Sequence, residues 1–278
     1  MNQTPFMLVL TLLGAVPAST PLVAPANPAA RVRQVRPPRV PLGIAACDHV
    51  IVPTGQLSRA SGETLRYLVD VDGLSVGTID FKIERRGNYD GEPTTDYRSL
   101  FELDALVAAF VPVRGRAASM VPDSGFWPTV AMSDYNLQGN VYEEEMLFGA
   151  DGNTLVSKRK KNGKLNEQRR RFSQPVFDFV SGFYAMRAMP VDMRGCSILF
   201  GNQRAYTIWV EPDGEEEVST PAGPRAAHRY RIRFASEKSK RPYDATLWVG
   251  INNRVPYQAE ILGTSRLVAR IHMYETGI

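Results

Sequence analysis

Chemistry-bearing residues are scarce in this chain. Its 278 residues include three histidines and two cysteines, and they lie apart: His49, His228, His272, Cys47 and Cys196. Only Cys47-Asp48-His49 gathers ligand types at one place. A closed metal site needs about four ligands, so neither a metal nor any other cofactor is expected. His-Glu-x-x-His is missing, and so is a phosphate-cradling glycine loop. Ser181 falls on a predicted helix and lacks a glycine two residues before it. No nucleophile elbow is read there, and no catalytic residue is assigned. The net charge of +4, from 33 basic and 29 acidic side chains, is too small to indicate a nucleic-acid partner.

The first thirty residues contain no Lys, Arg, Asp or Glu. Phe6 to Val16 is apolar and is followed by small residues at Val16-x-Ala18. That pattern reads as a secretory signal over residues 1–18, although Met1 to Pro5 lacks the usual basic residue. The apolar run is too short to span a bilayer, so a membrane-spanning chain is not expected after signal removal. Residues 19–45 are expected to be a disordered tether, because seven prolines between 17 and 43 preclude helix and strand pairing. Arg31, Arg33, Arg36 and Arg39 lie in it without an acid. Ile44-Ala45-Ala46-Cys47 has the look of a lipoprotein cleavage box, but its upstream segment is Pro/Arg-rich where such a signal is apolar. In an oxidising compartment Cys47 and Cys196 are candidates for one disulfide; two separate buried thiols is the other reading.

The chain is 44% hydrophobic, and residues 46–278 suit a single β domain. Leu65 to Val71 and Ser75 to Glu84 flank the turn Asp72-Gly73. In the second of these, Ile79, Phe81 and Ile83 face one way and Asp80, Lys82 and Glu84 the other, as in an antiparallel sheet with one wet face. Leu103, Leu106, Val107 and Phe110 have helical spacing and predict a short helix over 100–110, stopped by Pro112. Phe179, Val180, Phe183 and Tyr184 predict a second over 178–187. Val141–Phe148 reads as a strand with an acidic patch at Glu143-Glu144-Glu145. Strands follow at 205–211, 228–234, 245–251, 257–262 and 267–273. The fold class expected is mainly β: a strongly curved antiparallel sheet, half-barrel or open barrel, with two short helices packed on or in it.

Asn162-Gly163 is a two-residue hairpin signal that sets Lys158 opposite Glu167 and Lys160 opposite Leu165. Lys158, Lys160, Lys161, Lys164, Arg169, Arg170 and Arg171, with Arg159, make the hairpin basic. It is expected to project beyond the core and offers a contact for an acidic polysaccharide or an envelope protein. The alternative is an exposed hairpin that its lysines protect from edge pairing.

Motifs spread over the chain resemble one family. They are Gly62-Glu63-x-Leu65-x-Tyr67, Gly73-Leu74-x-x-Gly77, Asp178-x-x-Ser181-x-x-Tyr184-x-x-Arg187, Gly195, and Leu247-Trp248-Val249 before Asn253-Arg254-Val255-Pro256. Together they resemble the bacterial domain-of-unknown-function 3108 family of exported proteins, over roughly Gly62 to Leu267. Where that family usually carries Asp before its Arg-x-Pro, this chain has Asn252-Asn253. The resemblance implies a periplasmic or cell-envelope location. It also implies a curved sheet akin to the half-barrels of periplasmic lipoprotein carriers.

A curved sheet with one apolar face must fill its hollow with its own helices or with a ligand. Phe183, Tyr184, Arg187, Trp209 and Trp248 are the ligand-binding candidates, and a lipid or lipoprotein acyl chain is the expected partner. A non-enzymatic binding or carrier role is therefore the first expectation. An envelope assembly factor working through hairpin 156–171 is the second, and a hydrolase with paired carboxylates in the cleft the third. Asp178 and Arg187 either meet or serve separately, with Asp178 capping its helix and Arg187 anchored elsewhere; the separate roles are favoured.

Overall fold

A computed structural model describes residues 33–34, 49–104, 113–137, 139–238, 242–262 and 268–277. Among the described residues sixteen strands form one sheet. The first, β1 (Arg33–Gln34), is followed by an antiparallel run of β2 (Thr64–Val71), β3 (Leu74–Tyr89), β4 (Glu92–Leu103) and β5 (Val113–Pro122). The run continues through β6 (Val130–Leu137), β7 (Asn140–Phe148), β8 (Thr154–Lys161) and β9 (Lys164–Arg171). After β10 (Val176–Phe177) comes α1 (Phe179–Arg187), the one helix among the described residues. A second antiparallel run comprises β11 (Gly195–Gly201), β12 (Arg204–Thr220), β13 (Gly223–Ser236), β14 (Tyr243–Gly250), β15 (Pro256–Leu262) and β16 (Val268–Gly277). The two runs are joined where β2 pairs with β16, so the first and last long strands are neighbours at the middle of the sheet.

The sheet is not closed by backbone pairing: β1 lies at one edge, parallel to β9, and β10 at the other, parallel to β11. Its ends nevertheless meet through side chains. Asn166 Nδ2 donates to Gln203 Oε1 at 2.6 Å, and Gln203 Nε2 donates to the Asn166 carbonyl at 3.0 Å. Arg170 is forked onto Glu237, and Tyr135 Oη donates to Asn202 Oδ1 at 2.8 Å. Asn202 and Gln203 form the two-residue β11–β12 turn, both at positive φ (52° and 54°), the geometry that suits right-twisted strands. These bonds require the sheet to bend until β6–β9 reach that turn, which is how a barrel-like shape arises without a closed ladder.

The predicted hairpin register is found as stated, with Lys158 opposite Glu167, Lys160 opposite Leu165, and Asn162 and Gly163 at φ 47° and 80°. Its position differs from expectation. β8 and β9 continue the sheet, with Lys158 and Lys160 on its outer face beside Glu145 and Glu143. Arg159 and Arg170 point inward instead, and the Arg170 side chain is only 4% exposed.

Two other expectations need correcting. Leu100 to Leu103 is the end of β4, with Phe101 buried opposite Ile79; the rest of the predicted helix, 105–110, lies outside the described residues. Glu143-Glu144-Glu145 is not one patch, because strand alternation turns Glu144 inward while its neighbours face out. Within the expected tether, Arg33–Gln34 pair with Arg170–Arg171. The second-half strands also run longer than their apolar cores, since β12 and β13 continue past a bulge at Pro212/Glu215 to the turn at Thr220–Gly223.

Candidate functional site

α1 lies inside the curve of the sheet, and the residues that mount it come from distant parts of the chain. Asp178 is its N-cap: Oδ1 accepts from Val180 N at 2.9 Å and Ser181 N at 3.3 Å, while Oδ2 accepts from the hydroxyls of Ser181 and Ser119. A carboxylate there satisfies amide groups that the first turn leaves open. Burial pushes the Asp178 carboxyl up from its ordinary range against those hydrogen bonds. At the other end Arg187 makes a two-pronged bond with Glu63, at 2.5 and 3.1 Å, both side chains being under a tenth exposed. Burial acts to lower the guanidinium, but the bond from Glu63 prevails and holds it above its usual value. Asp178 and Arg187 thus serve separately, as favoured.

The same device recurs past the helix. Arg254 Nη2 donates to the Met189 carbonyl at 2.9 Å, holding the chain that leaves α1. Asn253 Oδ1 accepts from Val255 N and from Tyr257 Oη, both at 3.1 Å, so the residue standing where the family usually has Asp still supplies an acceptor oxygen. Tyr67 Oη donates to the Pro256 carbonyl at 2.9 Å, across 189 positions of sequence. A Cβ on Gly195 (φ 138°) would strike the His49 carbonyl. Motif residues far apart in the chain therefore act together to hold the helix over the sheet.

Held this way, α1 does not fill the hollow. A cavity of about 320 Å³ remains between it and the inner face of β2, β3 and β11–β16. Its walls include Ile79, Phe81, Phe183, Met186, Ile208 and Phe234. Among the described residues no charged side chain lines it, and its polar members are Tyr67, Ser197, Thr246 and Gln258. Phe81 and Phe183 stack at 3.7 Å between centroids, with Tyr67 edge-on to each at 6.0 Å. A smaller cavity of about 90 Å³ on the other side of Phe81 and Phe179 runs from Asp178 to Asn202 over Gly115, Ala117 and Ser133.

Of the five ligand-binding candidates only Phe183 lines the larger cavity. Tyr184 projects from the opposite helix face onto Tyr97, with ring centroids 4.3 Å apart, and Arg187 is committed to Glu63. Trp209 sits between groove-facing Ile208 and Val210, so alternation sends it to the outer face beside Cys196 and Ala235. Trp248 packs in the core and donates Nε1 to Glu216 at 3.0 Å. Sequence reasoning overlooked Met186, Met189 and Met193, which line the cavity together; their i, i+3, i+7 spacing was the available signal.

The basic candidates do not gather into one contact. Arg170 is buried against Glu237, which corrects its assignment to an anionic partner. Lys158, Lys160 and Arg169 each face a glutamate, and Lys161 lies over the Tyr142 ring. Lys164 and Arg171 are exposed. Of the cysteine pair, Cys47 lies outside the described residues; Cys196 is buried, and its backbone pairs with the chain at 49–51.

Among the described residues the buried carboxylates do not converge. Glu144 Oε1 accepts from Ser157 Oγ at 2.7 Å and from Gln203 N at 3.0 Å, while Oε2 has no hydrogen-bond partner among the described residues. Burial raises this carboxyl above its ordinary value, opposed by those bonds and by Arg159. A raised acid favours the fold fully below the unfolded value of about 4.3 and loses that contribution as pH climbs through the folded one. Glu144→Gln, which cannot ionise, is therefore expected to gain on the native protein as pH rises from about 4 to 8. Urea unfolding across that range measures the difference, and a flat one would mean that Glu144 ionises as readily folded as unfolded. Gly73-Leu74-Ser75-Val76-Gly77 has the glycine spacing of a nucleophile elbow, a pattern that sequence reasoning passed over. It spans a strand-to-strand turn, where exposed Ser75 donates to Asp104 at 2.6 Å, and not the strand-to-helix turn an elbow needs. Among the described residues no cluster of His, Cys, Asp and Glu could hold a metal ion, and no helix is long and apolar enough to cross a membrane.

No curated protein matches the chain. A solved β-barrel-like protein of the DUF1849 family from Brucella abortus is similar at 11% identity and a TM-score of 0.52, over 79% of this chain and 98% of that one; the likeness is one of fold. The hypothetical lipoprotein YmcC from Escherichia coli aligns at 7% identity and a TM-score of 0.29, over 78% of this chain and 85% of that one. The model of the family described as protein of unknown function (DUF3108) matches residues 66–262, from the first long strand to the end of β15, and takes in most of the residues that mount α1. The chain belongs to that family.

Proposed function

We propose that the protein is an exported, non-enzymatic binder or carrier of a single apolar chain, held between α1 and the inner face of the sheet. The observation that carries this reading is the uncharged cavity of about 320 Å³, within the size range of small-molecule sites. Burying hydrocarbon there is favourable by about 0.8 kcal/mol per methylene, and no charged wall group has to lose its water. Export rests on the signal-like residues 1–18. The non-enzymatic reading is supported by Asp178 and Glu144, each buried and bonded by serine and backbone donors away from any shared cleft.

Native mass spectrometry of protein isolated from a bacterial periplasm without detergent tests the reading. A reproducible adduct of single-chain lipid mass is expected, and Ala259→Trp, which fills the cavity from β15, is expected to abolish it. A native protein that carries no adduct and takes up no added dodecanol would overturn the proposal.

A further inference from the structure

A second, more polar hollow adjoins the larger cavity. This hollow, of about 590 Å³, lies beside the chain that leaves α1 and shares Ile51, Met193 and Val210 with the apolar cavity. A chain seated in the apolar cavity reaches the border of the hollow at those three residues. The hollow carries mixed charge. Among the described residues Asp192 and Glu211 supply two negative groups, and Arg194, 67% exposed and 3.8 Å from Glu211, supplies a positive one. Trp209 stands in the same wall, 4% exposed, and its indole N–H has no acceptor among the described residues. A buried donor without an acceptor is costly and is relieved by a ligand oxygen.

Resting on the groove reading above, we propose that this hollow is a headgroup site for a single-chain amphiphile with a zwitterionic phosphate head. The phosphate would be held by Arg194 and the Trp209 N–H, and the terminal ammonium would lie toward Asp192 and Glu211. A fully anionic head fits badly, because two carboxylates face it and one guanidinium offsets them. A free fatty acid is disfavoured at either place, since the apolar cavity offers its carboxylate no counter-charge. The hollow thus adds selection by head to a cavity that selects only by chain.

Four ligands of one chain length separate the two claims: dodecanol, dodecanoate, dodecyl phosphate and dodecylphosphocholine. They are titrated below their micelle concentrations into detergent-free full-length exported protein by calorimetry, with indole fluorescence as a second readout. Dodecylphosphocholine is expected to bind about tenfold more tightly than dodecanoate or dodecyl phosphate. Arg194→Ala and Trp209→Phe are expected to weaken dodecylphosphocholine about five- to tenfold while leaving dodecanol unchanged. Dodecanol serves as the internal check that each variant is folded with its cavity intact. If dodecanol binds but the three heads do not differ, or the anions bind more tightly, the headgroup site is overturned and the groove reading stands. If dodecanol itself fails to bind the native protein, both fall.

Discussion

Arg187→Ala is expected to destabilise the protein by about 3–5 kcal/mol, because it leaves Glu63 buried without its cation. Both side chains are under a tenth exposed, and the two short bonds between them fix Arg187 as a planar fork over the Tyr184 ring. Once the guanidinium is gone, Glu63 keeps, among the described residues, the Ser58 hydroxyl, 3.0 Å from Oε2. Arg187→Lys is expected to recover little, since an ammonium cannot reproduce the two-pronged geometry. The double variant Glu63→Gln with Arg187→Met removes both charges and is expected to lose less than Arg187→Ala alone. Equilibrium urea unfolding measures all three. The cost should change little between low and high salt, because a buried pair is weakly screened. An Arg187→Ala cost below about 1 kcal/mol would mean that the pair behaves as a solvated surface contact.

Asp178→Ala is expected to cost about 2–4 kcal/mol, from the lost cap together with the donors left open around it. Those donors are the amides of Val180 and Ser181 and the hydroxyls of Ser119 and Ser181. Asp178→Asn keeps an acceptor for the amides, and its NH2 can donate to either hydroxyl, so it should lie much closer to the native protein. The pH dependence separates charge from shape. Burial raises the folded carboxyl, so its contribution is full below the unfolded value of about 3.9 and is lost as pH rises through the folded value. Asp178→Asn removes that titration and is expected to improve relative to the native protein as pH goes from about 4 to 8. Improvement in the opposite direction would show that the serine and amide bonds outweigh burial and that the carboxylate is the form the fold prefers.

How far the sequence reveals this molecule follows from the range of the interactions involved. The hairpin at Asn162-Gly163 was legible to the residue, because its register depends on two adjacent positions that tolerate positive φ. The Asp178 cap was legible for the same local reason. The partner of Arg187 could be predicted only by type, since Glu63 lies 124 positions away and nothing nearby names it. The helix predicted over 100–110 fails at 100–103, where Leu100 and Leu103 fell on a helical period while Phe101 was obeying the two-residue period of β4. Glu144 was misread because a run of three like residues hides alternation. Trp209 and Trp248 looked like groove residues by size, and only their neighbours Ile208, Val210 and Leu247, which point into the cavity, reveal that they do not.

The placement of β16 between β2 and β15 bears on how the chain folds. Neighbours in sequence can pair as hairpins on their own, but the two halves become one sheet only when residues near 270 return to residues near 68. Closing a loop of that length is entropically costly before any contact rewards it, so this step is expected to be late and slow. Until it happens, β2 and β15 both present bare edges to other chains. A chaperone or a neighbouring molecule would find its opening there, in the interval before the last strand arrives.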